Sequence, residues 1–139
     1  MAANTTPIFI ITPRTETAEI TAANIARDGS GVLVTLFTAG TDGSRVDFIT
    51  FNSATPSGQT SSAMVGRVFI TDTSGNNPRL LSEVALPSVA SSNTAIGQTQ
   101  SIFYTNGLLL KAGQQLRVCQ SVYAGTQDKY HVIARGGDF

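Results

Sequence analysis

The chain has 139 residues and a mass of 14.6 kDa, the size of one domain with its own core. Nine Lys+Arg balance nine Asp+Glu and only 13% of residues are charged, which excludes the basic excess of a protein that grips nucleic-acid phosphates. The single cysteine, Cys119, excludes an internal disulfide and a cysteine-rich zinc site, and suits a reducing cytoplasm.

The first sixteen residues stand apart. Met1 to Thr6 are small and polar, Pro7 follows, then the apolar run Ile8, Phe9, Ile10 and Ile11, then Thr12-Pro13-Arg14. Two prolines bracket a stretch with extended preference, because proline also restricts the residue before it. Residues 1–16 are expected to form an extended arm, with Ile8, Phe9, Ile10 and Ile11 as its protein-interaction residues. An ordinary first strand would show the same letters. The apolar run is far short of the ~20 residues of a membrane span, and no basic region precedes it as in a secretory signal.

From residue 17 onward, turn signals recur about every ten residues, among them Asp28-Gly29-Ser30-Gly31, Thr41-Asp42-Gly43, Asn106-Gly107 and Ala112-Gly113. Between them lie short runs rich in Thr and Val, residues that favour pleated strands. This spacing predicts a sandwich or barrel. Strands are expected over 17–23, 31–38, 44–52, 63–72, 79–85, 98–105, 115–123 and 128–135. Residues 18–27 could also make a short helix stopped by Asp28-Gly29, but the β context favours a strand and a loop. Period-2 alternation puts Val46, Phe48 and Thr50 on one face, and Leu116, Val118, Gln120 and Val122 on another. The run 65–70 is apolar on both sides near its end, as in a covered central strand. The polar stretch 86–97 suits a crossing between two sheets of a jelly roll. The expected fold is an all-β, single-domain β-sandwich of jelly-roll type, spanning 17–139 behind the arm. Its core is drawn from Leu33, Leu36, Val46, Phe48, Val68, Ile70, Leu81, Val84, Phe103, Leu116, Val118, Val122 and Val132.

Chemistry-bearing patterns are scarce. His131 is the only histidine, and no Gly-x-Ser-x-Gly elbow accompanies it. Cys119 sits in an alternating run and reads as an inert sheet thiol. Asp72-Thr73-Ser74-Gly75-Asn76 opens like a calcium loop, and Glu83 falls at its twelfth position. The glycine is nevertheless at the fourth place rather than the sixth, and Pro78 interrupts the loop, so a polar turn explains it better. Phosphate loops, dinucleotide patterns and Cys/His clusters are absent. Tyr104, Tyr123 and Tyr130 could line a sugar groove, though tryptophan is missing. Neither an enzyme nor a cofactor is expected.

The stretch Ile20-Thr21-Ala22-Ala23-Asn24-Ile25-Ala26-Arg27-Asp28-Gly29, with Val34-Thr35-Leu36-Phe37-Thr38-Ala39-Gly40-Thr41-Asp42-Gly43-Ser44-Arg45-Val46, resembles small jelly-roll virion proteins of tailed bacteriophages. The run from Gly107 to Val118 is similar to the step into a late strand of such folds. The resemblance implies a capsid decoration (cement) protein that binds the outside of the head, in the virion, after synthesis in the host cytoplasm. It implies the major capsid protein as partner and a homo-oligomer, with a trimer favoured, and no nucleic acid or membrane. The alternative it leaves open is a tail-fibre, collar or tail-tip module that binds a host-surface glycan or another virion protein.

Overall fold

The computed structural model describes residues 9–139; residues 1–8 of the expected arm, including Ile8, the first of its interaction residues, lie outside them. Eight strands follow in chain order: β1 (Thr12–Ile20), β2 (Val34–Thr38), β3 (Ser44–Ser53), β4 (Met64–Ile70), β5 (Arg79–Leu86), β6 (Thr99–Leu110), β7 (Gln115–Gln120) and β8 (Tyr130–Asp138). Among the described residues the one helical element is a 3-10 turn at Thr126–Asp128. The first expected strand thus starts five residues early, and Thr12 to Glu16 lie in the sheet, paired residue by residue with Asp138 to Ala134 of β8. Residues 21–33 form a loop.

The strands make two antiparallel sheets, in the orders β1-β8-β3-β6 (sheet I) and β2-β7-β4-β5 (sheet II). Every connection except β4–β5 passes from one sheet to the other. That wrapping is a jelly roll, as expected. The polar connection before β6 is one such crossing.

Between the sheets lies one core built from Ile20, Leu36, Phe37, Val46, Ile49, Phe51, Met64, Val68, Leu86, Leu110, Leu116, Val118, Tyr130, Val132 and Ala134. Six expected core residues are in it: Leu36, Val46, Val68, Leu116, Val118 and Val132. Ile70, Leu81, Val84 and Val122 pack against it while partly buried, and Leu33 is only half-buried. Phe48 and Phe103 are corrections, because both stand on the outer face of sheet I.

The reason is a bulge. Against β8, Val46 pairs with Gly136 and Phe48 with Arg135, so Asp47 is the extra residue. One added residue reverses every later side chain. Val46 points inward, and so do Ile49 and Phe51, which carries Phe48 and Thr50 to the outside. Gly66 of β4 shows how close the sheets lie, since a Cβ there would sit 2.8 Å from the Phe51 ring.

Candidate functional site

The first candidate is the edge of sheet I where the chain enters. The Ile11 amide donates to the Asp138 carbonyl at 2.8 Å, extending the β1–β8 ladder by one bond. Beside it, Arg14 donates to the Asp138 carboxylate at 3.0 Å and to the Thr38 carbonyl at 2.8 Å. The Arg14 guanidinium also lies 4.3 Å over the Phe37 ring, and Ser44 Oγ donates to Asp138. The Gly40 amide donates to Ser44 Oγ at 2.9 Å. Burial pushes the Asp138 carboxyl up, but hydrogen bonds from Ser44 and Arg14 more than offset it and hold the group below its ordinary value. First strand, last strand and the β2–β3 turn are thereby tied together. Phe9 and Ile11 project from this anchored corner, 70% and 78% exposed, while Ile10 is half-buried.

The outer face of sheet I is the second candidate. The register lays out its rows: Thr15–Arg135–Phe48–Phe103, then Thr17–Ile133–Thr50–Ser101, then Glu19–His131–Asn52–Thr99. Phe48 and Phe103 are tilted rings with centroids 5.6 Å apart, and Arg135 lies 5.9 Å from the Phe48 centroid. Leu109 stands beyond them, opposite Arg45. At the other end, Glu19 meets Lys129 at 3.1 Å and His131 at 3.5 Å, above a shallow depression lined by Thr17, Ala18 and Ile133. The Lys129 ammonium, above all by its hydrogen bond, holds the Glu19 carboxyl below its ordinary value. His131 thus takes part in an exposed charge cluster.

On the outer face of sheet II, the 21–33 loop covers Cys119 and Arg67. Asn24 organises that loop: its side-chain amide donates to the carbonyls of Ser30 at 2.9 Å and Val32 at 3.0 Å. Its Oδ1 accepts from the Ala26 amide at 2.9 Å, and its own backbone amide bonds Gln120. Gly31, at φ +78°, leaves the room Asn24 occupies. Beneath lies the row Cys119–Arg67–Glu83, in which Arg67 donates to Glu83 at 2.8 Å and Glu83 also meets Arg27 at 2.7 Å. Cys119 is buried there, and burial raises its thiol above the ordinary value despite Arg67 nearby. His131 and Cys119 therefore sit on opposite outer faces of the sandwich and cannot act on one another.

Asp72 spends its oxygens on its own turn, accepting from the amides of Ser74 and Asn76 and from the Asn77 side chain. Among the described residues no three His, Cys, Asp or Glu side chains gather as metal ligands. The sequence reading overlooked Asp128, which is fully buried and accepts from the Ser62 amide at 2.7 Å and the Ala124 amide at 2.8 Å. Its expected place was in a strand, and only the following Tyr130 begins one. Tyr130 itself is fully buried, so it lines no sugar groove.

Scanned against protein-family models the sequence matches none, and no curated protein matches it. Among solved structures, the chain is similar to a crystal structure of the infectious bursal disease virus particle, at 17% identity and a TM-score of 0.36, over 99% of this chain and 35% of that one. Structures of the Gx and Gt strains of that virus are similar at 14% and 18% identity, with TM-scores of 0.32 and 0.30; each match covers 98% of this chain and 34% of the other. The chain spans about a third of the length of the chains it matches.

Proposed function

We propose that this chain is a structural virion protein, a decoration or cement protein bound to the outside of a tailed-phage head, with the major capsid protein as its partner. The observation that carries the reading is the anchored corner: Ile11 is fixed by a main-chain bond to Asp138, yet its side chain is 78% exposed. A rigidly held, uncovered apolar side chain is preorganised to dock, because little conformational freedom remains to be lost. Ile8 to Ile11, read as the arm, would bury against a neighbouring subunit in the particle, at roughly 1.5–3 kcal/mol for each side chain fully buried.

Other features support the same reading. The sequence resembles small phage virion proteins over the 20–46 stretch, whose Asn24 and Gly31 serve to build a loop. Charge is scarce, so few ions need desolvation when such a surface is packed against protein. A compact jelly roll suits clustering at three-fold positions of a shell, hence a trimer.

The test is to mix purified protein with particles lacking it and to count what co-sediments. The intact chain is expected to bind in a fixed ratio to shell subunits, and a chain deleted of residues 1–11 is expected to stay folded and remain in the supernatant. Binding in only a few copies per particle, at the tail, would instead support the tail-fibre or collar alternative.

A further inference from the structure

At the end of the sandwich away from the Asp138 corner, the two sheets face each other through Gln120 and Tyr130. Ile20 of β1 pairs with Tyr130 in sheet I, and three residues later Ala23 bridges Gln120 in sheet II. Three residues of chain span roughly 10 Å at most, which is also the usual spacing of packed sheets. Both side chains are fully buried and point inward, Gln120 in step with Val118 and Tyr130 in step with Val132. They share one layer of the core.

The hydrogen bonds around them leave two polar atoms over. Gln120 Nε2 donates to the carbonyls of Val122 at 2.8 Å and Asp128 at 2.5 Å, while its Oε1 has no partner among the described residues. Turning the amide over would set Oε1 against those two carbonyls, so its orientation is fixed. Tyr130 Oη also has no partner among the described residues. The nearby hydroxyls of Ser61 and Ser53 have given their protons elsewhere. Ser61 Oγ donates to the Val89 carbonyl at 3.3 Å. Ser53 Oγ donates to Thr55 Oγ1 at 2.5 Å, because Thr55 Oγ1 itself donates to the Gln127 carbonyl at 2.7 Å. Burial above all pushes the Tyr130 phenol above its ordinary value, so it keeps a proton to give.

A buried donor and a buried acceptor left unpaired are costly, and a small molecule that accepts one proton and donates another satisfies both. It has to be neutral. The carboxylate beside them, Asp128, is spent on the amides of Ser62 and Ala124 and on the Ser62 hydroxyl, which leaves no anion to balance a cation. We propose that an internal water bridges the two sheets here, accepting from Tyr130 Oη and donating to Gln120 Oε1. A free lone pair on Ser61 Oγ or Ser53 Oγ is open to its second proton, which completes the roughly three bonds of a typical buried water. The bridge lies beneath the loops that Ser61, Ser62 and Asp128 tie together, and it depends on the core alone rather than on the virion role.

A crystal structure of the full chain that resolves ordered solvent tests it. A water within about 3 Å of both atoms is expected. Direct contact between Gln120 and Tyr130, or a gap with no ordered solvent between them, would overturn the bridge. Water-oxygen relaxation dispersion checks the same point in solution, on the unaltered chain and on Tyr130→Phe, which removes only the hydroxyl. The count of long-lived waters should fall by one in the variant, and an equal count in two equally folded proteins would refute the bridge. Thermal melts in sodium, potassium and choline chloride at equal ionic strength should coincide. A melting temperature that follows the cation would put an ion, not a water, between the sheets.

Discussion

Arg14, in the first strand, and Asp138, in the last, meet at 3.0 Å and fasten the two ends of the chain where the β2–β3 turn closes over them. Because the folded state holds the Asp138 carboxyl below its unfolded value, its stabilisation is present above that unfolded pKa, about 3.9, and is lost as pH falls through the lower folded value. Asp138→Asn should cost about 1.5–3 kcal/mol at pH 7, the range for hydrogen bonds to a charged group. Urea melts across pH should show the gap between the two proteins shrinking below about pH 3.9. A gap that stays constant to the acid limit would remove the carboxylate from this role.

Asn24 holds the loop over Cys119 through three side-chain hydrogen bonds, and the Asn24 carbonyl faces the Cys119 sulfur at 3.9 Å. Asn24→Ala should therefore destabilise by roughly 2–3 kcal/mol, since it orphans partners under a covered loop. It should also raise the rate at which a thiol reagent labels Cys119, which burial keeps protonated and shielded in the intact protein. Equal labelling rates for the two proteins would show that the loop is held by other contacts.

The eight strands were legible because Gly, Asn and Asp mark the turns and because β7 alternates cleanly. Leu116, Val118 and Gln120 do share the inner face, where the buried Gln120 side-chain nitrogen donates to the carbonyls of Val122 and Asp128 while its Oε1 has no partner among the described residues. Alternation failed where a bulge added a residue. Leu36 and Phe37 are both buried although adjacent, because the β2–β7 register slips between Thr35 and Phe37. The same defect at Asp47 turned Phe48 outward, and with it the expectation for Phe103. An excursion in β6 compounds this, as β3 moves from Val46 to Phe48 while β6 moves from Leu108 to Phe103. No local signal marks Asp47 as the extra residue, since bulge placement depends on both neighbouring strands. The outward pair of Phe48 and Phe103 was therefore hidden in the sequence, whereas the apolar run before β1 was visible.

Gly66 tests how tightly the sheets are packed. Its missing side chain is replaced by the Phe51 ring, with ring atoms at 2.8 to 3.1 Å from where a Cβ would stand. Gly66→Ala should thus cost about 1–3 kcal/mol, the usual range for overpacking a core, despite the stiffer unfolded chain that alanine provides. Thermal melts of Gly66→Ala and of Gly66→Ala/Phe51→Leu decide the cause. The double variant should recover part of the loss by making room. An additive double variant would place the cost in the backbone instead.

Glu83 contacts two arginines that differ sharply in exposure, and that difference sets what each pair contributes. The Arg67 side chain is 9% exposed and that of Arg27 is 64% exposed. Arg27→Ala should change stability by less than about 1 kcal/mol, as for other solvated ion pairs, and the change should vanish in high salt. Glu83→Ala is different, because it leaves the covered Arg67 guanidinium with only the Asn24 carbonyl, at 3.3 Å, as a partner. Its cost should reach roughly 2–4 kcal/mol, short of a fully buried pair because Glu83 itself is partly solvated. Replacing both Arg67 and Glu83 by Leu and Met should then recover much of that loss, since the unpaired charge is gone. If denaturant melts instead rank Arg27→Ala as the more damaging change, the outer surface of sheet II is held by the exposed pair and the covered guanidinium is incidental.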